Sequence, residues 1–129
     1  MRDNRYYYCH PLGMKATDAW LGTYSGHGIA IDISLSTSSG GKLDTVGTPI
    51  YSICDGTVLS AEYNCGSTEK TTNPAGGNQI RIQASGTAAQ TENVLDRELE
   101  FLYCHLVNPN ESQYSHFPKL SPGDTVRKG

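Results

Sequence analysis

The stretch Pro49-Ile50-Tyr51-Ser52-Ile53-Cys54-Asp55-Gly56-Thr57-Val58-Leu59-Ser60-Ala61-Glu62-Tyr63 decides the class of fold. Two runs rich in β-branched and aromatic residues flank Asp55-Gly56, a dipeptide with easy access to positive φ, as a two-residue hairpin turn requires. The sequence therefore predicts strands over 49–54 and 57–63 joined by a tight turn. Upstream, Ile29-Ala30-Ile31-Asp32-Ile33 sets apolar residues at odd positions, so a strand of period two starts at Gly28. Downstream, Ile80 and Ile82 share one face of Asn78-Gln79-Ile80-Arg81-Ile82-Gln83. Glu98-Leu99-Glu100-Phe101-Leu102-Tyr103-Cys104-His105-Leu106 is the longest strand candidate. Polar, glycine-containing loops over 34–44, 64–77 and 84–96 separate these runs, and 107–120 is an irregular excursion. Residues 1–25 read as a wrapping segment. No repeat of 20 to 50 residues occurs, although Asp55-Gly56-Thr57-Val58 and Gly123-Asp124-Thr125-Val126 echo each other as turn-then-strand units.

Composition supports a mostly β domain. The 129 residues suffice for one core, and 14 Gly with 6 Pro leave little room for helices. Ten Lys and Arg against 13 Asp and Glu give a formal charge of −3, so no field gathers phosphate backbones and a generic nucleic-acid binder is excluded. With 36% hydrophobic and 18% charged residues, the chain lacks the signature of disorder. No apolar run approaches the roughly 20 residues that span a bilayer. Met1-Arg2-Asp3-Asn4-Arg5 leads into tyrosines and not into an apolar signal core, so neither a membrane span nor a signal peptide is expected. Cys9, Cys54, Cys65 and Cys104 lack the paired spacing of a zinc knuckle. They fit either two disulfides, in any of three connectivities, or small buried hydrophobes.

Hydrolytic zinc needs three protein ligands at about 2.0 to 2.2 Å and an open position for water. Of His10, His27, His105 and His116, only His27 lies near a carboxylate embedded in an apolar strand, Asp32. An ionised Asp there needs a cationic partner or backbone N–H donors. His105 reads either as a site histidine or as one alternating out of a strand, and His10 and His116 as surface or packing residues. Cys104 beside His105 does not make a nucleophile and base, because adjacent strand residues point to opposite faces. Tyr6, Tyr7 and Tyr8 suit either a sugar-stacking platform or the cover of a sheet edge.

The order Gly26-His27-Gly28-Ile29-Ala30-Ile31-Asp32-Ile33, Gly47-Thr48-Pro49 through Asp55-Gly56-Thr57-Val58, Gly76-Gly77-Asn78-Gln79-Ile80-Arg81-Ile82, Leu102-Tyr103-Cys104-His105-Leu106 and Pro122-Gly123-Asp124-Thr125-Val126-Arg127-Lys128-Gly129 resembles the lysostaphin/LytM-type zinc peptidoglycan endopeptidases. The resemblance covers nearly everything from Gly26 onward. It implies a duplicated-hybrid-motif fold over 26–129, an antiparallel sheet or sandwich with long polar loops. It also implies zinc as cofactor, cell-wall peptide as substrate and an extracellular, wall or virion location. Carried over by residue, His27 and Asp32 become zinc ligands and His105 a catalytic, polarising histidine. Asp32 and His105 must then face one groove.

Two departures qualify the resemblance. His27 and Asp32 are five positions apart, where the family has four, so regular pleating sends them to opposite faces unless Gly28 forms a bulge. The family's terminal His-x-His does not occur within 1–129, and His116 is not aimed at Asp32 by anything in the sequence. A C-terminally truncated product, another chain that supplies the missing end, or a module that has lost catalysis is therefore expected. A noncatalytic wall-binding or structural module of a phage tail or cell-surface assembly is the second reading. A carrier or phosphotransfer domain is a third, and it lacks the Lys that a carrier needs at its hairpin tip.

Overall fold

A computed structural model describes residues 19–22, 32–35, 46–65, 76–85 and 99–129. Four antiparallel strands, β3 (Gly56–Glu62), β4 (Gln79–Ala84), β5 (Glu100–Tyr103) and β6 (Thr125–Val126), form one sheet in the order β5-β4-β3-β6. A separate antiparallel pair joins β1 (Ala19–Gly22) to β2 (Asp32–Leu35). The helical structure among the described residues is a single 3-10 turn, Ser112–Tyr114. The domain is mostly β, as the composition implies, and no helix among the described residues is long and apolar enough to cross a membrane.

Alternation explains how the larger sheet buries one face. Val58, Ile82 and Phe101 stand in register across three strands, as do Ala61, Ile80 and Tyr103. Val58 and Ile82 are 1% and 3% exposed, whereas the opposite face carries Arg81, Glu100 and Leu102 to solvent. At the end of β4, Cys54 and Ala84 form a buried cluster against Ile53, Leu99 and Phe101. The register slips between Val58 and Ser60, which makes Leu59 the extra residue of a β-bulge. This bulge is why Val58 and Ala61, an odd number of positions apart, share the apolar face.

The predicted hairpin at Asp55-Gly56 does not form. Residues 49–54 are not a strand, and Gly56 is the first residue of β3, paired with Ala84 on one side and Val126 on the other. Backbone groups of 49–54 are taken by other partners. The Ile53 N–H donates to the Tyr103 hydroxyl at 3.0 Å, and the Ser52 carbonyl accepts from the Gly129 N–H at 3.1 Å. Gly56 is needed for room and not for positive φ, since a Cβ there would collide with the Gln83 carbonyl oxygen and come within 2.7 Å of Ile82 Cγ2.

The two echoing units turn out to be neighbours. Gly56 pairs with Val126 and Thr57 with Thr125, and the pairing continues through Val58 N–H to Asp124 O at 2.9 Å and Gly123 N–H to Val58 O at 2.8 Å.

Other boundaries shift as well. Part of the segment read as wrapping is strand β1, whose residues Ala19 to Gly22 pair with Leu35 to Asp32. Ser34 and Leu35, read as loop, extend β2. The strand expected over 98–106 stops at Tyr103, so among the described residues β3 and not β5 is the longest. No disulfide joins any two of the described cysteines.

Candidate functional site

The start of β4 and the end of β5 meet in a corner built by backbone conformations that ordinary strands avoid. Gly76 and Gly77 have φ of 92° and 64°, where a residue without Cβ pays no steric penalty. At Gly76 a Cβ would also sit 2.8 Å from Cys104 Sγ, so the two segments can touch only because position 76 is glycine. Across the corner, His105 has φ of 57° and is the one non-glycine residue with positive φ among the described residues. It is exposed.

Hydrogen bonds fix this geometry from both sides of His105. Its own N–H donates to the Gly76 carbonyl at 2.8 Å, and the Leu106 N–H donates to the Asn78 carbonyl at 3.0 Å. The Asn78 amide completes the lattice. Its Nδ2 donates to the Leu106 carbonyl at 3.0 Å, while its Oδ1 accepts from the Cys65 N–H at 3.0 Å. Asn78 is 1% exposed, and a buried amide is tolerated because it is bonded in this way. Burial pushes the Cys104 thiol above its usual range, partly opposed by the Arg81 charge. A thiol held neutral is a poor nucleophile.

Among the expected site residues, His105 is thus placed, but not by strand alternation. Both Cys104 and His105 lie beyond β5, so the argument from opposite strand faces does not apply to them, and what disfavours the thiolate at Cys104 is its burial. Asp32 opens β2 directly across from Gly22. Its side chain, His27, the bulge expected at Gly28 and His10 lie outside the described residues, and so does the convergence of Asp32 with His105. His116 is exposed, with its ring 4.3 Å from that of Phe117. Among the described residues no three His, Cys, Asp or Glu side chains gather as a metal site requires. Asn78 was not singled out by the sequence, which placed it at the head of a strand. The signal was present as an amide following two glycines. No family model, no curated protein and no solved structure matches the chain.

Proposed function

We propose that the chain carries the sheet and one catalytic histidine of a zinc-dependent endopeptidase of the lysostaphin/LytM type, built on a duplicated hybrid motif and acting on peptide bonds of bacterial peptidoglycan. The observation that carries this reading is the left-handed backbone of exposed His105 at the end of β5. A non-glycine residue persists in that region when its surroundings over-determine it, and such residues cluster at functional sites. An imidazole presented in this way can donate to a carbonyl oxygen as charge develops on it, or take a proton from an attacking water.

By donor type, the His27 imidazole and the Asp32 carboxylate suit zinc. Gly22 is the residue across from Asp32 in the β1–β2 pair. Bound there, the metal would supply a Lewis acid and a water of lowered pKa. The corner residues have a separate task, which is to hold His105 still at the rim of the sheet.

The test is digestion of purified peptidoglycan by the zinc-loaded protein, expressed from its whole reading frame, with new amino termini quantified and bound metal measured by mass spectrometry. About one zinc per chain is expected, and His105→Ala should keep the metal while losing turnover by roughly 10²- to 10⁴-fold. A folded protein that neither holds zinc nor releases amino termini sinks the enzyme. If that protein still sediments with insoluble walls, the noncatalytic wall-binding module takes its place.

A further inference from the structure

We propose that Asn78 is a positioning residue for His105, clipping both backbone atoms of Leu106 and so fixing the turn that presents the imidazole. The proposal rests on the reading of His105 as the histidine that acts on substrate. Asn78 receives the Leu106 N–H on its own carbonyl and gives its Nδ2–H to the Leu106 carbonyl, both at 3.0 Å. Leu106 directly follows His105, so its N–H direction reports the His105 ψ, while the bond from His105 N–H to Gly76 constrains φ. Both soft dihedrals of the left-handed residue are therefore tied to Gly76 and Asn78.

Packing alone does not account for an amide at this position. If position 78 served only to fill space, an apolar side chain of similar volume would do so without a desolvation cost. The opposite end of β4 shows that the sheet itself does not need such a device. There, among the described residues, Ala84 N–H to Leu99 O and Ser85 N–H to Asp55 O close the strand through backbone groups. At the histidine end a side chain reaches past the ladder, and its bond from Cys65 N–H anchors the amide plane to the segment leaving β3.

The experiment uses ¹⁵N-labelled protein and two variants, Asn78→Ala and Asn78→Asp. Asp keeps the acceptor for Cys65 N–H but, once ionised, cannot donate to Leu106. In both variants the Leu106 N–H keeps its bond to the Asn78 backbone carbonyl, but loss of the Nδ2–H bond to Leu106 O loosens the turn, so Leu106 amide exchange should quicken by roughly 10- to 100-fold through easier local opening. The His105 ring resonances should move towards solvent-averaged values. Ile82 and Phe101 should keep wild-type protection, and Cys65 should keep its protection in the Asp variant alone. On peptidoglycan, both variants should lower kcat with KM within about twofold, the pattern of a lost transition-state contact.

Unchanged Leu106 exchange and unchanged ring resonances would overturn the proposal. Variants that fail to fold, or that lose protection at Ile82 as much as at Leu106, would also overturn it by making Asn78 a residue of the fold alone. Failure of the functional reading looks different. A chain that never cuts walls would still show the exchange and resonance changes.

Discussion

The two ends of β4 are made by opposite means. At the Ala84 end, Cys54 and Ala84 are buried among Ile53, Leu99 and Phe101, and Gly56 is pressed against Gln83 and Ile82. At the Gly76 end, two glycines with positive φ, one buried amide and three hydrogen bonds about His105 and Leu106 hold an exposed imidazole. Apolar packing is dense but non-directional, so it can hide a group without aiming it. Directional bonds can aim one, provided every buried partner is satisfied. The candidate site therefore lies where the strand gives up its core.

The sharpest way to break this contrast is Ile82→Ala, which removes buried volume from the packed end. It should cost about 2 to 5 kcal/mol, read as a lower urea midpoint with unchanged slope. A loss under about 1 kcal/mol would mean that this end is not the core.

Tyr63→Phe probes a second set of directional bonds, since the Tyr63 hydroxyl donates to Leu120 O at 3.1 Å and accepts from Leu120 N–H at 2.9 Å. Its loss should cost about 1 to 2 kcal/mol. Burial first, and the Asp124 charge in addition, push the Tyr63 hydroxyl above its usual 10.0 against the opposing Leu120 bond. The folded state thus holds this proton more tightly than the unfolded one. The stabilisation is complete below pH 10.0 and fades as pH rises through the native value. Cys104, raised from 9.0, adds a dependence of the same sign. Urea titrations from pH 7 to 11 should show wild type losing stability more steeply than Tyr63→Phe above pH 10. Equal slopes would remove Tyr63 from the explanation.

A subtler comparison replaces His105 by Gly and by Ala. Left-handed backbone costs an ordinary residue about 1 to 2 kcal/mol, so Gly should be the more stable variant by about 1 kcal/mol, in thermal or urea unfolding. Ala equal to or better than Gly would show that the corner relaxes once the imidazole is gone. The smallest effect belongs to the solvent face, where Arg81 and Glu100 pair at 3.0 Å with side chains 47% and 38% exposed. Arg81→Ala should change stability by less than about 0.5 kcal/mol, and less still at high salt.

The sequence made β4 legible because Ile80 and Ile82 alternate without interruption. It misled at Asp55-Gly56 because glycine has two uses, freedom of φ and absence of Cβ, and local sequence does not say which one applies. Here the partners that demand the missing Cβ, Ile82 and Gln83, are contributed by a distant strand. The bulge at Leu59 is equally silent in sequence, because an extra residue is visible only against a partner's register. His105 was legible as a candidate through the residues around it, but its backbone conformation depends on Gly76 and Asn78 across the corner. Asn78 stayed hidden for the same reason.

The two-residue strand β6 has a consequence for the order in which the chain can be assembled. β3, β4 and β5 pair in sequence order and can form as each emerges, but the other flank of β3 waits for Gly123 to Val126. The contacts that seal it, Tyr63 to Leu120 and Asp55 to Lys128, join residues 57 and 73 positions apart. Until they close, a growing chain displays an open ladder of backbone donors and acceptors that a neighbouring nascent chain can occupy. Synthesis at low temperature or with a holding chaperone should therefore raise soluble yield, by sheltering the interval before the last turn arrives.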